Sequence, residues 1–255
     1  MDLPRVSIFN CVSHAYEMLR FSSDAIINNA GYNNFDYIVV TWGPTQEVED
    51  YLSELQKVHN NVHVVEYKTN PDVAYVPNLR GMMNRGFEEG FKLNDYCGLT
   101  NTDQYFGKDW LLNLVRYANE KDIVSSTHIS PWGGINQEKS NFGVPEYSKF
   151  DMEGFNKMYA ELYDDVLQTQ EERGGPWQTC VTMPYLIPKK FWKLAGPWEL
   201  TLEGKKDSPD VRFFQRCSDA GAHFTMSRSS IVYHHDSVER KSGKRPEEAK
   251  NMREE

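Results

Sequence analysis

No stretch of this 255-residue chain approaches the ~18 consecutive apolar residues of a membrane-spanning helix. The opening Met1-Asp2-Leu3-Pro4-Arg5 also lacks the apolar run of a secretory leader, so a soluble, cytoplasmic protein is expected. Cysteine is scarce: Cys11, Cys97, Cys180 and Cys217 lie far apart with no Cys-x-x-Cys pair, which argues against a structural zinc site and reads as reduced core thiols. Positive charge is in deficit. A net charge of -9 disfavours a broad nucleic-acid surface. The one basic cluster, Arg240, Lys241, Lys244 and Arg245, lies in a polar tail over 237–255; it reads as a solvated terminus or as a local patch for phosphate or anionic lipid. Internal repeats and low-complexity segments are absent.

What the chain has is 39% hydrophobic residues, enough to fill one large core, arranged in alternating strand and helix patterns. Strands are expected over 6–12, 37–41, 62–67, 96–103 and 122–126. Between them, helices are expected over 14–29, after Trp42-Gly43-Pro44, along the stripe Leu79, Met82, Met83, Phe87, Phe91, and from an aromatic start at 105–110 through Leu111, Leu114, Val115 and Ala118. The second helix carries Val48, Tyr51, Leu52 and Leu55 at i, i+3, i+4 and i+7, with Thr45 as N-cap. This alternation predicts an α/β domain with a mostly parallel, Rossmann-like sheet covered by helices on both faces. From 130 to 181 the alternation stops. A helix with Phe155, Met158, Tyr159, Leu162, Tyr163 and Val166 on one face lies there between Pro131-Trp132-Gly133-Gly134 and Gly174-Gly175-Pro176-Trp177, as an insertion rather than a second domain.

Ligands of open α/β sheets gather at the carboxyl ends of the strands. The run Tyr96-Cys97-Gly98-Leu99-Thr100-Asn101-Thr102-Asp103 ends there on an acid. Alone, Asp103 reads better as a helix N-cap or loop residue than as a ligand. Three further pieces bear on it: a strand turning into a helix that stops at Gly196, a helix opening Pro209-Asp210, and a strand ending Tyr233-His234-His235. Each has a plain reading too. Asp210 suits a helix dipole, Arg216 a surface ion pair, and one of the two adjacent histidines must point away because strand neighbours face opposite sides.

In this order and spacing the pieces resemble family 2 glycosyltransferases of the GT-A fold, over nearly the whole chain. Asn101-Thr102-Asp103 matches the family's Asp-x-Asp-like motif. The helix Pro77 to Gly86, with Arg80 and Asn84, resembles the one preceding it; Pro209-Asp210 through Arg216 resembles the acidic motif, and His234 the late histidine. The resemblance implies a single GT-A domain over 1–236, with a nucleotide-sugar half over 1–127 and an acceptor and catalytic half over 128–236. It implies an inverting transfer from a nucleotide-diphosphate sugar, UDP-sugar favoured, helped by a divalent Mn2+ or Mg2+ ion. Metal ligands would be Asp103 and His234; donor contacts would come from Asn101, Thr102, Asp103, Arg80, Asn84, Val12 and Thr41. Asp210 would be the general base, with Glu199 or Asp207 in reserve, and Trp177, Trp132 and Arg216 would face the acceptor. Departures are Pro209 where glutamate is usual, Arg212 where an acid is common, and no acid after the second strand. The acceptor would be a hydroxyl of a glycan, a lipid-linked saccharide or a small molecule. A modified nucleic-acid base is a less favoured acceptor, and a sugar-phosphate nucleotidyltransferase or a non-catalytic sugar-nucleotide binder are the rival readings.

Overall fold

A computed structural model describes residues 2–12, 15–68, 75–131, 137–142, 149–200 and 209–235. Trp132, Asp207 and the basic cluster at 240–245 lie outside them.

Strands β1 (Val6–Val12), β2 (Phe35–Thr41), β3 (Val62–Glu66) and β4 (Tyr96–Leu99) form a parallel block in the order β3-β2-β1-β4. Parallel strands sandwiched between helices are buried on both faces, as all seven residues of β2 are here, and so read as largely apolar runs such as Tyr37 to Val40. Alternate side chains part to opposite faces. Ile8, Tyr37 and Val39 join one core with helices α1 (Tyr16–Asn28) and α2 (Gln46–Val58); Phe9, Ile38 and Val40 join the other with α3 (Tyr75–Leu93). Helix α3 lies close on the sheet because two glycines face it: a Cβ on Gly86 would fall 2.2 Å from the Phe9 ring, and one on Gly90 2.3 Å from Cys97 Sγ.

Beyond β4 the sheet becomes mixed. Strand β5 (Gln104–Phe106) and the short helix α4 (Trp110–Val115) are followed by β6 (Asp122–Ser130), β7 (Gln137–Lys139), α5 (Met152–Leu162) and β8 (Leu167–Thr169). Strand β9 (Tyr185–Pro188), helices α6 (Lys189–Ala195) and α7 (Pro209–Asp219), and β10 (His223–His234) complete the order β3-β2-β1-β4-β9-β6-β10-β5. Strand β9 runs antiparallel to both β4 and β6, while β10 is parallel to β6 and antiparallel to β5. The result is a mixed α/β domain whose central sheet is flanked by helices, the GT-A-like architecture expected.

Several local expectations change. The aromatic residues after Asp103 make strand β5 rather than a helix start, because Tyr105 and Phe106 pair with Tyr233 and Val232 of β10. The 96–103 strand stops at Leu99, and Asn101 to Asp103 form the turn into β5. Thr45 occupies the N-cap of α2 without a side-chain capping bond. Helix α5 ends at Leu162 and buries only Phe155 fully, leaving Tyr163 and Val166 exposed.

Strand β10 runs over twelve residues, and it bulges. Ser227 pairs with Ser126 but Ile231 with Thr127, so residues 228–230 have no ladder partner. Side chains supply what the ladder lacks. Asn113 Nδ2 donates to the Ser229 carbonyl at 2.8 Å and Thr127 Oγ1 to the Ser227 carbonyl at 3.0 Å. The Ser230 hydroxyl donates to the Trp110 carbonyl at 2.8 Å and the Ser227 hydroxyl to that of Asn113 at 2.9 Å. Beyond this buried hydroxyl knot the strand resumes and delivers His234 to the turn after β4.

Candidate functional site

The turn from β4 to β5 is built for precision. Thr100 fastens its start through its amide and its hydroxyl, 2.8 and 3.1 Å from the Phe9 carbonyl. Gln104, fully buried, braces its end: its side-chain oxygen accepts from the Asn101 amide at 2.9 Å and its Nε2 donates to the Met183 carbonyl at 2.9 Å. Across the β5–β10 ladder His234 pairs with Gln104, and the His235 amide donates to the Asp103 carbonyl at 2.9 Å. These bonds place the His234 ring beside the Asp103 side chain, Nε2 to Oδ1 3.0 Å. Gln104 carries no charge and belongs to no motif, so nothing in the sequence singled it out.

The adjacent histidines divide as the strand pleat requires. His234 faces Asp103, whereas His235 is sealed among Phe21, Phe150 and Tyr233, its ring 5.0–5.5 Å from theirs. Asp103 is charged. Burial pushes its carboxyl up, but the His234 charge and hydrogen bond, with help from its own amide, hold it below the usual range. A second imidazole adjoins the pair: His128 of β6, its ring centroid 4.9 Å from that of His234. Burial, and then His234, bring His128 down to about 3 against the pull of Asp103, so it stays neutral. Sequence reading missed His128 because it lies inside a strand rather than at its end.

Among the described residues no group of three or more His, Cys, Asp or Glu side chains is set to hold a metal ion. The Asp103–His234 pair nevertheless fits two adjacent positions around one. Two donors in neighbouring octahedral positions with bonds of about 2.1 Å stand about 3 Å apart, which is the separation found. A carboxylate with an imidazole suits Mn2+.

The remaining expected residues fall into two groups. Val12 and Thr41 end β1 and β2 in register with one another, both buried, and their carbonyls accept from the Trp42 and Tyr67 amides. Asp210 is exposed in the first turn of α7. Its charge acts on Tyr185, which starts β9 opposite Leu99 and whose buried hydroxyl has no hydrogen-bond partner among the described residues.

Arg80, Asn84 and Arg216 converge elsewhere, on the segment from Ala195 to Leu200. Asn84 is committed to it at both ends, donating to the Trp198 carbonyl at 2.9 Å and accepting from its amide at 2.8 Å. Arg216 donates to the Ala195 and Pro197 carbonyls at 2.6 and 2.9 Å and pairs with Glu199 at 3.2 Å. Glu199 also pairs with Arg212 at 2.7 Å. Arg80 donates from Nη1 to the Leu200 carbonyl at 2.9 Å. Asn84 and Arg216 are thus staples between α3, α7 and this strap. Trp177 also departs from expectation. It packs in the core against Phe214 and Phe224, 7% exposed, with its indole nitrogen donating to Gln215 at 3.2 Å, so its faces are covered and cannot stack on a sugar. No helix among the described residues is long and apolar enough to cross a membrane.

No family profile matches the chain and no curated protein matches it. Among solved structures it is similar to a crystal structure of GalNAc-T7 with UDP, GalNAc and Mn2+, at 11% identity and a TM-score of 0.61. The match covers 91% of this chain but only 44% of that one, so the chain spans less than half the length of the protein it matches. At that identity the likeness is one of fold: the chain shares the GT-A-like fold of that structure.

Proposed function

We propose that this protein is a glycosyltransferase that moves a sugar from a nucleotide-diphosphate donor, UDP-sugar favoured, to an acceptor hydroxyl with inversion at the anomeric carbon. The observation that carries the reading is the Asp103–His234 pair, 3.0 Å apart and built onto the carboxyl end of β4 by two strands, with the Asp103 carboxyl held below its usual range. The solved relative in fold holds UDP and Mn2+, which supports the same ligand class here. A divalent cation held by Asp103 and His234 would neutralise charge that gathers on the departing diphosphate.

The rest falls to the chain's own groups. Asp210 accepts the proton of the acceptor hydroxyl as its oxygen bonds to the anomeric carbon; the bond from that carbon to the diphosphate breaks, and its electron pair leaves with the diphosphate. An exposed carboxylate on the first turn of α7 can reach an acceptor hydroxyl, whereas the Asp103 carboxylate is engaged by His234. Glu199, the reserve base, is engaged by Arg212 and Arg216. Val12 and Thr41 then line the donor side at the ends of β1 and β2, with Asn101 at the turn.

The test is release of UDP from a panel of UDP-sugars with and without Mn2+. Activity should require the ion. Asp210→Asn should lower turnover by roughly a hundredfold or more while leaving UDP affinity unchanged; full turnover in that variant would remove Asp210 from the chemistry.

A further inference from the structure

Arg80 is 9% exposed, yet the Leu200 carbonyl takes only one of its five N–H groups. Among the described residues no other hydrogen-bond or ion-pair partner takes up the guanidinium. Its ordinary value is lowered by burial first and then by the positive charge of Arg212, with Asp210 acting in the opposite sense, so these two are its charged neighbours. A buried cation next to a second cation is an unfavourable arrangement unless an anion completes it. Among the described residues the protein's own acids do not. Glu199 already serves Arg212 and Arg216, and Asp210, as a base, must keep its lone pairs for a proton. The chain carries a net charge of -9, yet it brings Arg80, Arg212 and Arg216 onto the one segment from Ala195 to Leu200.

We infer that Arg80, with Arg212 behind it, forms a receptor for an anionic group of the acceptor, a carboxylate or phosphate carried near the hydroxyl that Asp210 deprotonates. Planar guanidinium N–H groups suit the paired oxygens of such groups. The inference rests on the glycosyltransferase reading for the role of Asp210 and adds to it the class of substrate, an acidic hydroxyl compound. It also gives a purpose to an arginine at a position where the resembling family commonly has an acid: a cation there selects a charged acceptor over a neutral one.

Sulfate serves as the probe, titrated calorimetrically into the protein already saturated with UDP and Mn2+. Saturable binding of one sulfate is expected, weakened at least tenfold in Arg80→Gln and severalfold in Arg212→Gln, with UDP affinity unchanged. Arg80→Lys keeps the charge and loses the planar fork, so it should weaken sulfate severalfold and serves if Arg80→Gln does not fold. Absence of saturable sulfate binding, binding that Arg80→Gln leaves intact, or mutual displacement of sulfate and UDP would overturn the inference, the last by assigning the site to the donor diphosphate. If UDP and Mn2+ do not bind at all, the glycosyltransferase reading fails by itself, and the same titration of the free protein still decides whether Arg80 is an anion receptor.

Discussion

Residue by residue, the site is defined by what each polar group has as its partner. Asp103 and His234 have each other, and their separation is the one that a shared cation would impose. Asn84 and Arg216 have the Trp198, Ala195 and Pro197 main chain. Trp177 has Gln215 and two aromatic rings, which makes it a core residue. Trp177→Ala should therefore lower stability by about 3–5 kcal/mol in chemical denaturation, whereas the more conservative Trp177→Phe should leave the Michaelis constant for any acceptor unchanged; a selective rise in that constant would return Trp177 to the site. Motif residues were legible because acids and histidines at strand ends are few. Their partners were not. Whether an arginine holds a strap or faces a ligand depends on which carbonyl lies within 3 Å of it, and neither Leu200 nor Pro197 marks itself in the sequence.

At the scale of elements, the first half of the chain was readable because its strands are buried on both faces and its helices have one apolar stripe. The second half follows other rules. Strand β9 runs against its neighbours, and β10 carries a bulge held by serine and threonine hydroxyls that no apolar alternation marks in the sequence. Strand β5 has three residues, too few to show a period. The close seat of α3 on the sheet gives a direct test. Gly90→Ala would bring a methyl to 2.3 Å from Cys97 Sγ on β4, inside van der Waals contact. It should cost about 1–3 kcal/mol by urea denaturation, and Cys97→Ala in the same background should recover part of the loss. An unchanged midpoint in Gly90→Ala would mean that α3 stands further from β4 than described.

For the molecule as a whole, the pole opposite the site holds the chain together electrostatically. Asp36 accepts two bonds from Arg5 at 2.7 and 2.8 Å, one from Asn94 at 2.8 Å and one from His63 at 3.0 Å. Burial pushes its carboxyl up, but the Arg5, Asn94 and His63 hydrogen bonds outweigh it and bring it to about 2. A carboxyl lower in the folded than in the unfolded chain binds its proton more readily when unfolded. Its contribution, about 2 kcal/mol, is therefore present above pH ~4 and lost as the pH falls towards 2. Asp36→Asn should flatten the dependence of stability on pH across that window while leaving ligand binding alone; an unaltered acid profile would show that the cluster contributes nothing.

The proposed chemistry depends above all on Asp103 and His234 holding a divalent ion on which a nucleotide diphosphate is bound. Calorimetric titration of UDP with and without Mn2+ into the unaltered protein and into Asp103→Asn tests it most directly, because the variant keeps the shape of the turn and removes the charge. UDP should bind the unaltered protein at least tenfold more tightly with Mn2+ than without, and that enhancement should vanish in Asp103→Asn. An equal enhancement in both proteins, or none in either, would contradict the claim.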